Sequence, residues 1–156
     1  MPIASQRRAE DERAELIPPE LLPLFDDVFV VACDRMEEYI VRLALGVFQS
    51  TGLEEACRWE AGATIDQAVA RAGLDAAVAR VPVAWILAML ASRGWLQATV
   101  GAGDEIRYRL ERPLPALDPD EILQAQEAHD PRCMPSYQIM ALAAEHYPAV
   151  LRGQNR

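Results

Sequence analysis

The chain has 156 residues, of which 51% are hydrophobic, so it is long enough to form one domain with a substantial core and an appendage. Its 24 acidic residues outweigh 15 basic residues, all of them arginine, and the net charge of −9 repels phosphate at long range. This balance argues against a nucleic-acid binder, which usually carries a basic face.

The cysteine content and the distribution of apolar residues bear on the compartment. No apolar run reaches membrane-spanning length, and residues 1 to 16 lack the apolar stretch of a secretory signal. The three widely spaced cysteines, Cys33, Cys57 and Cys133, are an odd number, which favours reduced thiols. The sequence therefore predicts a cytoplasmic protein with no membrane partner.

The first third of the chain combines a charged arm with a long helix. Residues 1 to 16 predict a flexible, solvated arm, and IPPELLP, residues 17 to 23, predicts a rigid entry turn. A helix is expected from about residue 24 to residue 50, closed by Gly52, although residues 28 to 32 are also compatible with a strand. The helix has two apolar stripes, Met36, Tyr39, Ile40, Leu43 and Val47 in one and Val41, Leu45 and Phe48 in the other.

A helix that is apolar on two faces must be buried on two faces. Two interpretations stay open at this point. The helix is either the central core helix of the domain, or it buries its second face against a twin chain or a neighbouring domain.

Two short helices are predicted next. Residues 52 to 59, GLEEACRW, predict a short helix or turn. In the following helix, Thr64 is the expected N-cap and Gln67, three residues later, completes a capping box. Gly73 is expected to end this helix.

A third helix and a β-hairpin complete the centre of the chain. Residues 72 to 80 predict a connection, and the helix after it is expected to begin near Pro82 and to end at Gly94. Apolar and polar residues then alternate over residues 95 to 110, on both sides of a turn at residues 101 to 104, which predicts a hairpin. Two helices joined by a short connection and followed by a hairpin are the arrangement of a winged helix.

Two further helices are predicted in the C-terminal part. Asp118 is the expected N-cap, with Glu121 as its capping-box partner, of a helix that runs to about His129. After a loop, residues 136 to 153 predict a last helix, which Pro148 is expected to break or kink.

The predicted helices and hairpin offer few side chains that could recognise DNA bases. The helix that would enter a groove begins with Pro82, Val83, Ala84 and Trp85, and it offers no Asn, Gln or Lys to base edges. Arg107 and Arg109 share one strand face, which is more simply a solvated face.

Catalytic and metal chemistry is also weakly supported. His129, Cys133 and His146 have no closely paired ligand spacing, so we predict no metal site. The G-x-G of VGAGDE, residues 100 to 105, precedes a second strand rather than a helix, so no helix N-terminus is available to hold a nucleotide cofactor.

Residues 41 to 97 resemble the N-terminal helical, winged-helix-like region of S-adenosylmethionine-dependent methyltransferases. The similarity lies in a leucine-phenylalanine stretch, a helix of the T-x-x-x-A-x-x-x-G-L type, an L-x-x-x-G-x-L helix end and an aromatic wing strand, here at residues 45 to 48, 64 to 74, 90 to 96 and Tyr108. In this chain the second motif has one additional residue before its glycine. HYPAVLRG, residues 146 to 153, is similar to the segment that precedes the catalytic core in methyltransferase domains of polyketide synthases. The match covers about residues 36 to 153.

The resemblance implies a role without chemistry in this chain. In that family S-adenosylmethionine is bound by a core that follows this region, and the glycine-rich motif of the core is absent here. We therefore expect no cofactor and no catalytic residue in this chain. The expected partners are a downstream methyltransferase core or a twin chain, and an acyl carrier protein that delivers the substrate, with no nucleic acid.

The predicted fold is mainly α, with a winged-helix-like centre, one small β-hairpin, a long N-terminal helix and a two-helix C-terminal extension. We expect residues 1–16 to form the arm, 17–112 the helical domain and 113–156 the extension. The extension is expected to act as a lid over the substrate, through Tyr137, Met140, His146 and Tyr147.

Three functions are thus considered. The favoured one is a non-catalytic N-terminal lid or dimerisation domain of a methyltransferase in polyketide-type biosynthesis. The alternatives are a winged-helix transcription regulator and a degenerate adaptor that joins other synthase domains.

Overall fold

A computed structural model describes residues 18 to 154 of the chain. The flexible arm expected at residues 1 to 16 lies outside the described residues. Among the described residues, the helices are α1 Asp27–Ser50, α2 Leu53–Cys57, α3 Ile65–Arg71, α4 Ala76–Ser92, α5 Pro119–His129 and α6 Met134–Leu151. The strands are β1 Gln97–Val100 and β2 Ile106–Arg109, and short 3₁₀ turns lie at Pro19–Leu24, Ala102–Asp104 and Pro131–Cys133.

The predicted fold class is confirmed. The described residues are mainly helical, with a long first helix and two helices after the hairpin, and their one sheet is the antiparallel pair β1–β2. Gln97 lies opposite Arg109 and Val100 opposite Ile106. The hairpin is fastened to the segment before α3 by two backbone hydrogen bonds of 2.9 Å between Ala63 and Tyr108.

The long helix α1 lies at the centre of the fold and packs against α2, α4, α5 and α6. Asp26 caps it, because its carboxylate accepts a hydrogen bond of 2.8 Å from the Phe29 N–H. Residues 28 to 32, which the sequence left open between strand and helix, form the first turns of α1.

The second apolar stripe of α1 faces the interior of the chain. Val41, Leu45 and Phe48 are all buried, and Leu45 and Phe48 belong to the same core cluster as residues of α2, α3 and α4. This stripe therefore needs no second chain to cover it, and the interpretation of α1 as a central core helix is correct for this stripe.

The start of α4 differs from the prediction. The helix begins at Ala76, six residues before Pro82, because the Asp75 carboxylate accepts a hydrogen bond of 2.9 Å from the Ala77 N–H. The alanine-rich residues after this cap have high helix propensity, so most of the expected connection is helical. The capping box of α3 is confirmed, with both the Thr64 and the Gln67 side chains bonded to backbone N–H groups.

Two expectations about the C-terminal helices are also corrected. Asp118 caps α5 as predicted, but the Glu121 carboxylate pairs at 2.8 Å with the Arg42 guanidinium of α1 instead of completing a capping box. Helix α6 begins at Met134 and continues through Pro148, because its buried side chains pack against the rest of the bundle and outweigh one lost backbone hydrogen bond.

The helices of the described region were also compared with the length and hydropathy that a membrane span requires. Among residues 18 to 154, no single helix satisfies both conditions. Only α3 and α4 taken together satisfy them, by length and composition, and the pair is bent by 119°.

We predict that Leu45→Ala lowers the free energy of unfolding by about 3 kcal/mol, because it leaves a cavity in a closely packed core. Leu45 is 2% exposed, so the change removes interior contacts rather than a contact with another chain. Urea unfolding followed by circular dichroism measures the loss. The matched control Leu142→Ala, at an exposed position of α6, should change the free energy by less than about 0.5 kcal/mol.

Candidate functional site

An apolar groove lies between α1, α4 and α6 and has a volume of about 300 Å³. This volume lies at the lower end of the range for small-molecule sites. The lining residues are apolar, apart from one indole N–H and one tyrosine hydroxyl: Ile40, Leu43, Ala44, Val47, Pro82, Trp85, Ile86, Met140, Ala143, Ala144 and Tyr147.

The sequence pattern of the three helices explains the groove. Ile40, Leu43 and Val47 follow the first apolar stripe of α1 and form one side of the groove. Small side chains, among them Ala144 of α6, lie where larger ones would fill the space. Trp85 of α4 lines the groove but remains 52% exposed, so the site is open to solvent on this side.

One contact holds α4 and α6 together beside the groove. The Asp75 N–H, at the start of α4, donates a hydrogen bond of 2.9 Å to the Leu151 carbonyl, at the end of α6. Gly153 follows with a φ of +72°, and a Cβ atom there would lie 2.7 Å from the Asp75 carboxylate. The left-handed backbone at Gly153 favours glycine, and an added Cβ would displace the Asp75 side chain that caps α4.

The four predicted lid residues do not share one site. Met140 and Tyr147 line the groove, whereas His146 is exposed on α6 and does not line it. Tyr137 is fully buried, with its ring 5.0 Å from that of Tyr39 and its hydroxyl donating a hydrogen bond of 3.2 Å to the Ala32 carbonyl. Burial raises the pKa of the Tyr137 hydroxyl, which suits a structural side chain of the core.

Sequence reasoning missed the contributions of α1 and α4 to the groove. From the sequence, Trp85 is only a poor DNA contact, and Ile40 and Leu43 are only parts of a core stripe. The sequence signal for a surface site is the pair of Val81 and Trp85, two large apolar side chains one turn apart on the same face of a helix. Both are exposed, so this face of α4 is not covered by the core.

The described cysteines and histidines do not form a reactive centre. Burial raises the pKa of the Cys57 thiol to about 12, and burial together with the Asp130 carboxylate raises the pKa of Cys133. The His129 Nε2 atom lies 3.1 Å from the Val28 carbonyl oxygen. Among residues 18 to 154, no group of three or more potential ligands could hold a metal ion.

The arginines of α4 and the hairpin are engaged with carboxylates. Each of these arginines forms an ion pair with a carboxylate: Arg80 with Asp66, Arg93 with Glu38, Arg107 with Glu105 and Arg109 with Glu111. The distance from nitrogen to oxygen is 2.9 Å in each of the first two pairs. A phosphate backbone would have to compete with these carboxylates for the guanidinium groups.

The hairpin turn does not fit S-adenosylmethionine. Residues 101 to 104 lead into strand β2, so the N–H groups of a following helix are not available to the cofactor. No chemical step through this cofactor follows from the described residues.

Comparisons with protein-family models, curated proteins and solved structures find no match to this chain. The resemblance to methyltransferases therefore rests on the sequence motifs and stays a prediction.

We predict that Cys57 resists alkylation in the folded chain at pH 8. With a pKa of about 12, about one thiol in 10⁴ is ionised at this pH, and the side chain is fully buried. Labelling with iodoacetamide and peptide mass spectrometry should find Cys57 unmodified while the exposed Cys33 reacts. In urea Cys57 should be labelled, and rapid labelling without urea would contradict a buried, protonated thiol.

Proposed function

We propose that the chain is a non-catalytic N-terminal lid domain of an S-adenosylmethionine-dependent methyltransferase of polyketide-type biosynthesis. In this proposal the groove between α1, α4 and α6 holds the apolar acyl chain of a substrate carried on an acyl carrier protein. The observation that carries the proposal is the groove itself, which is lined by apolar side chains and open to solvent.

The chemistry of the lining favours an apolar chain over a polar ligand. Transfer of apolar surface from water is worth about 25 cal/mol per Å², so each methylene group that enters contributes. A polar group would lose its hydrogen bonds to water in the groove and find few new ones there. The Trp85 indole N–H and the Tyr147 hydroxyl are the two side-chain polar groups of the lining, and Tyr147 belongs to the predicted lid helix.

A lid needs no reactive group of its own, because it acts by covering the substrate. Burial raises the pKa values of the Cys57 and Cys133 thiols, which disfavours their thiolate forms. The transfer of a methyl group would belong to a downstream core, which would supply S-adenosylmethionine and close the open side of the groove. Met140 and Tyr147 would then contact the acyl chain, whereas Tyr137 would support α6 from within the core.

We predict that an acyl-pantetheine with a nitroxide at the end of its chain quenches Trp85 fluorescence. The quenching should be measured in the double variant Trp59→Phe and Trp95→Phe, which leaves Trp85 as the one tryptophan of the chain. The matched control is the double variant Trp85→Phe and Trp95→Phe, in which Trp59, exposed outside the groove, is retained and should be quenched little. Equal quenching of Trp59 and Trp85 would contradict binding in the groove.

A substitution in the groove provides a second test. Ala143→Asp should weaken binding at least about tenfold, because a carboxylate would have to lose water beside an apolar chain. Ala143 is exposed, so the fold should tolerate the change. The control Ala128→Asp places the same charge at an exposed position of α5 outside the groove and should bind like the unaltered chain.

One observation favours the alternative of a winged-helix transcription regulator. Helices α3 and α4 are bent by 119° and are followed by the hairpin, which matches the geometry of a helix-turn-helix with a wing. However, the exposed face of α4 presents Val81 and Trp85 rather than base-reading side chains.

We predict no sequence-selective DNA binding at physiological salt, because the arginines on α4 and the hairpin are already paired. A gel shift with genomic fragments over a salt series measures this. Selective binding that is lost in the double variant Arg107→Ala and Arg109→Ala would instead support the regulator.

A further inference from the structure

A second cleft, of about 330 Å³, lies beside α1 where this helix meets the start of α5 and the middle of α6. Unlike the apolar groove, it is lined by charged and polar side chains as well as apolar ones. Asp120 of α5 and Glu145 of α6 contribute carboxylates, Tyr39 of α1 contributes a hydroxyl, and Leu117 and Ala141 are among the apolar residues. The cleft therefore offers hydrogen-bond acceptors next to an apolar wall.

The Tyr39 hydroxyl has no partner within the fold. The residue is 2% exposed and its ring packs against Tyr137, yet the hydroxyl forms no hydrogen bond with any described residue and is not sealed from the cleft. Burial and, after it, the charge of Asp120 raise the pKa of Tyr39, which places the hydroxyl on the side of this carboxylate. Because buried polar groups find hydrogen-bond partners, that of Tyr39 comes from outside the chain.

The two carboxylates of the cleft are not used by the fold either. Asp120 and Glu145 are exposed, and neither forms an ion pair with a described residue. Arg42, the one cation of the lining, is engaged by Glu38 at 3.2 Å and by Glu121 at 2.8 Å. Because Arg42 already has carboxylate partners, the two free carboxylates make the cleft favour a cation over an anion.

A glycine keeps this cleft open. Gly46 lies within α1 and lines the cleft, and a Cβ atom there would meet no atom within 4 Å. Glycine is less favourable than alanine inside a helix, and no close contact requires it at this position. The packing of the fold does not explain Gly46, whereas a cleft that must stay open does.

We propose that this cleft binds a primary alkylammonium group. The nitrogen lies among the Asp120 and Glu145 carboxylates and the Tyr39 hydroxyl, and the alkyl part lies against Leu117 and Ala141. The three N–H donors of an ammonium group match these three acceptors in number. A metal ion fits less well, because the described part of the chain contains no group of three or more His, Cys, Asp or Glu residues that could hold one.

The ammonium group is expected from another molecule. All 15 basic side chains of the chain are arginine, so its N-terminal amine is the only primary ammonium that it possesses. A free small amine and a lysine side chain of another protein present the same chemical group. The proposal concerns a different ligand from the acyl chain of the groove and does not depend on the proposed function.

The first test is a titration of the full chain with n-butylammonium chloride, followed by heteronuclear NMR. Amide signals around the cleft should shift and saturate at millimolar amine, whereas n-butanol, which lacks the charge, and tetramethylammonium, which lacks N–H donors, should shift them little. Asp120→Asn and Glu145→Gln should each weaken binding about tenfold, and Tyr39→Phe, which keeps the ring, at least about threefold. The control Glu127→Gln, at an exposed position of α5 outside the cleft, should leave the affinity unchanged.

The second test fills the cleft. Gly46→Leu places a side chain in the open space and should abolish binding, while the midpoint of thermal unfolding stays the same or rises because leucine favours a helix more than glycine does. A folded Gly46→Leu chain that still binds, equal binding of n-butanol, or unchanged affinity in Tyr39→Phe or in the double variant Asp120→Asn and Glu145→Gln would each overturn the proposal.

A titration with Nα-acetyl-lysine methylamide distinguishes the two sources of the ammonium group. Binding at least as tight as that of n-butylammonium supports a lysine side chain of a partner protein, whereas exclusion of this larger ligand supports a free amine. None of these measurements uses an acyl ligand, so their outcome and the quenching at Trp85 are decided separately.

Discussion

The burial of α1 is the constraint on which the rest of the structure depends. This helix has apolar side chains around most of its circumference, so it must be covered from several directions at once. Helices α2 to α4 cover Leu45 and Phe48, and α6 covers Tyr39 through the ring of Tyr137. The hydrogen bond from Tyr137 to the Ala32 carbonyl and the pair between Arg42 and Glu121 fix the two C-terminal helices along the same helix.

These helices leave the first apolar stripe of α1 only partly covered. Ile40, Leu43 and Val47 line the groove between α4 and α6, whereas Tyr39 of the same stripe is buried against the ring of Tyr137. A groove between three helices encloses a ligand as narrow as a side chain or an acyl chain. The difference within the stripe comes from where α4 and α6 lie, because all four residues follow the same helical spacing.

Local chemistry predicted much of the fold, and long-range packing accounts for what it did not predict. The Thr64–Gln67 capping box and the Asp118 cap depend on neighbouring residues, and both are found. Pro82 suggested a late start for α4 because proline is common in the first turn, but the cap at Asp75 and the packing of the helix outweigh that preference. The roles of Tyr137 and Tyr147 also depend on tertiary contacts, since both lie on one predicted helix and only their neighbours differ.

The groove is composed of side chains from three helices that are far apart in sequence, so no short motif could have identified it. The residues of the groove are mostly apolar, and those near the helix contacts are small. The residues of an ordinary protein core have the same properties. The distinction between core and site arises because α4 and α6 meet at the bond between Asp75 and Leu151 while their facing side chains, Trp85 and Met140, leave space between them. The net charge of −9 makes the molecules repel one another, and this repulsion opposes association through the exposed apolar area. The chain therefore combines general repulsion with a few apolar surfaces of defined shape, which favours specific contacts over indiscriminate association.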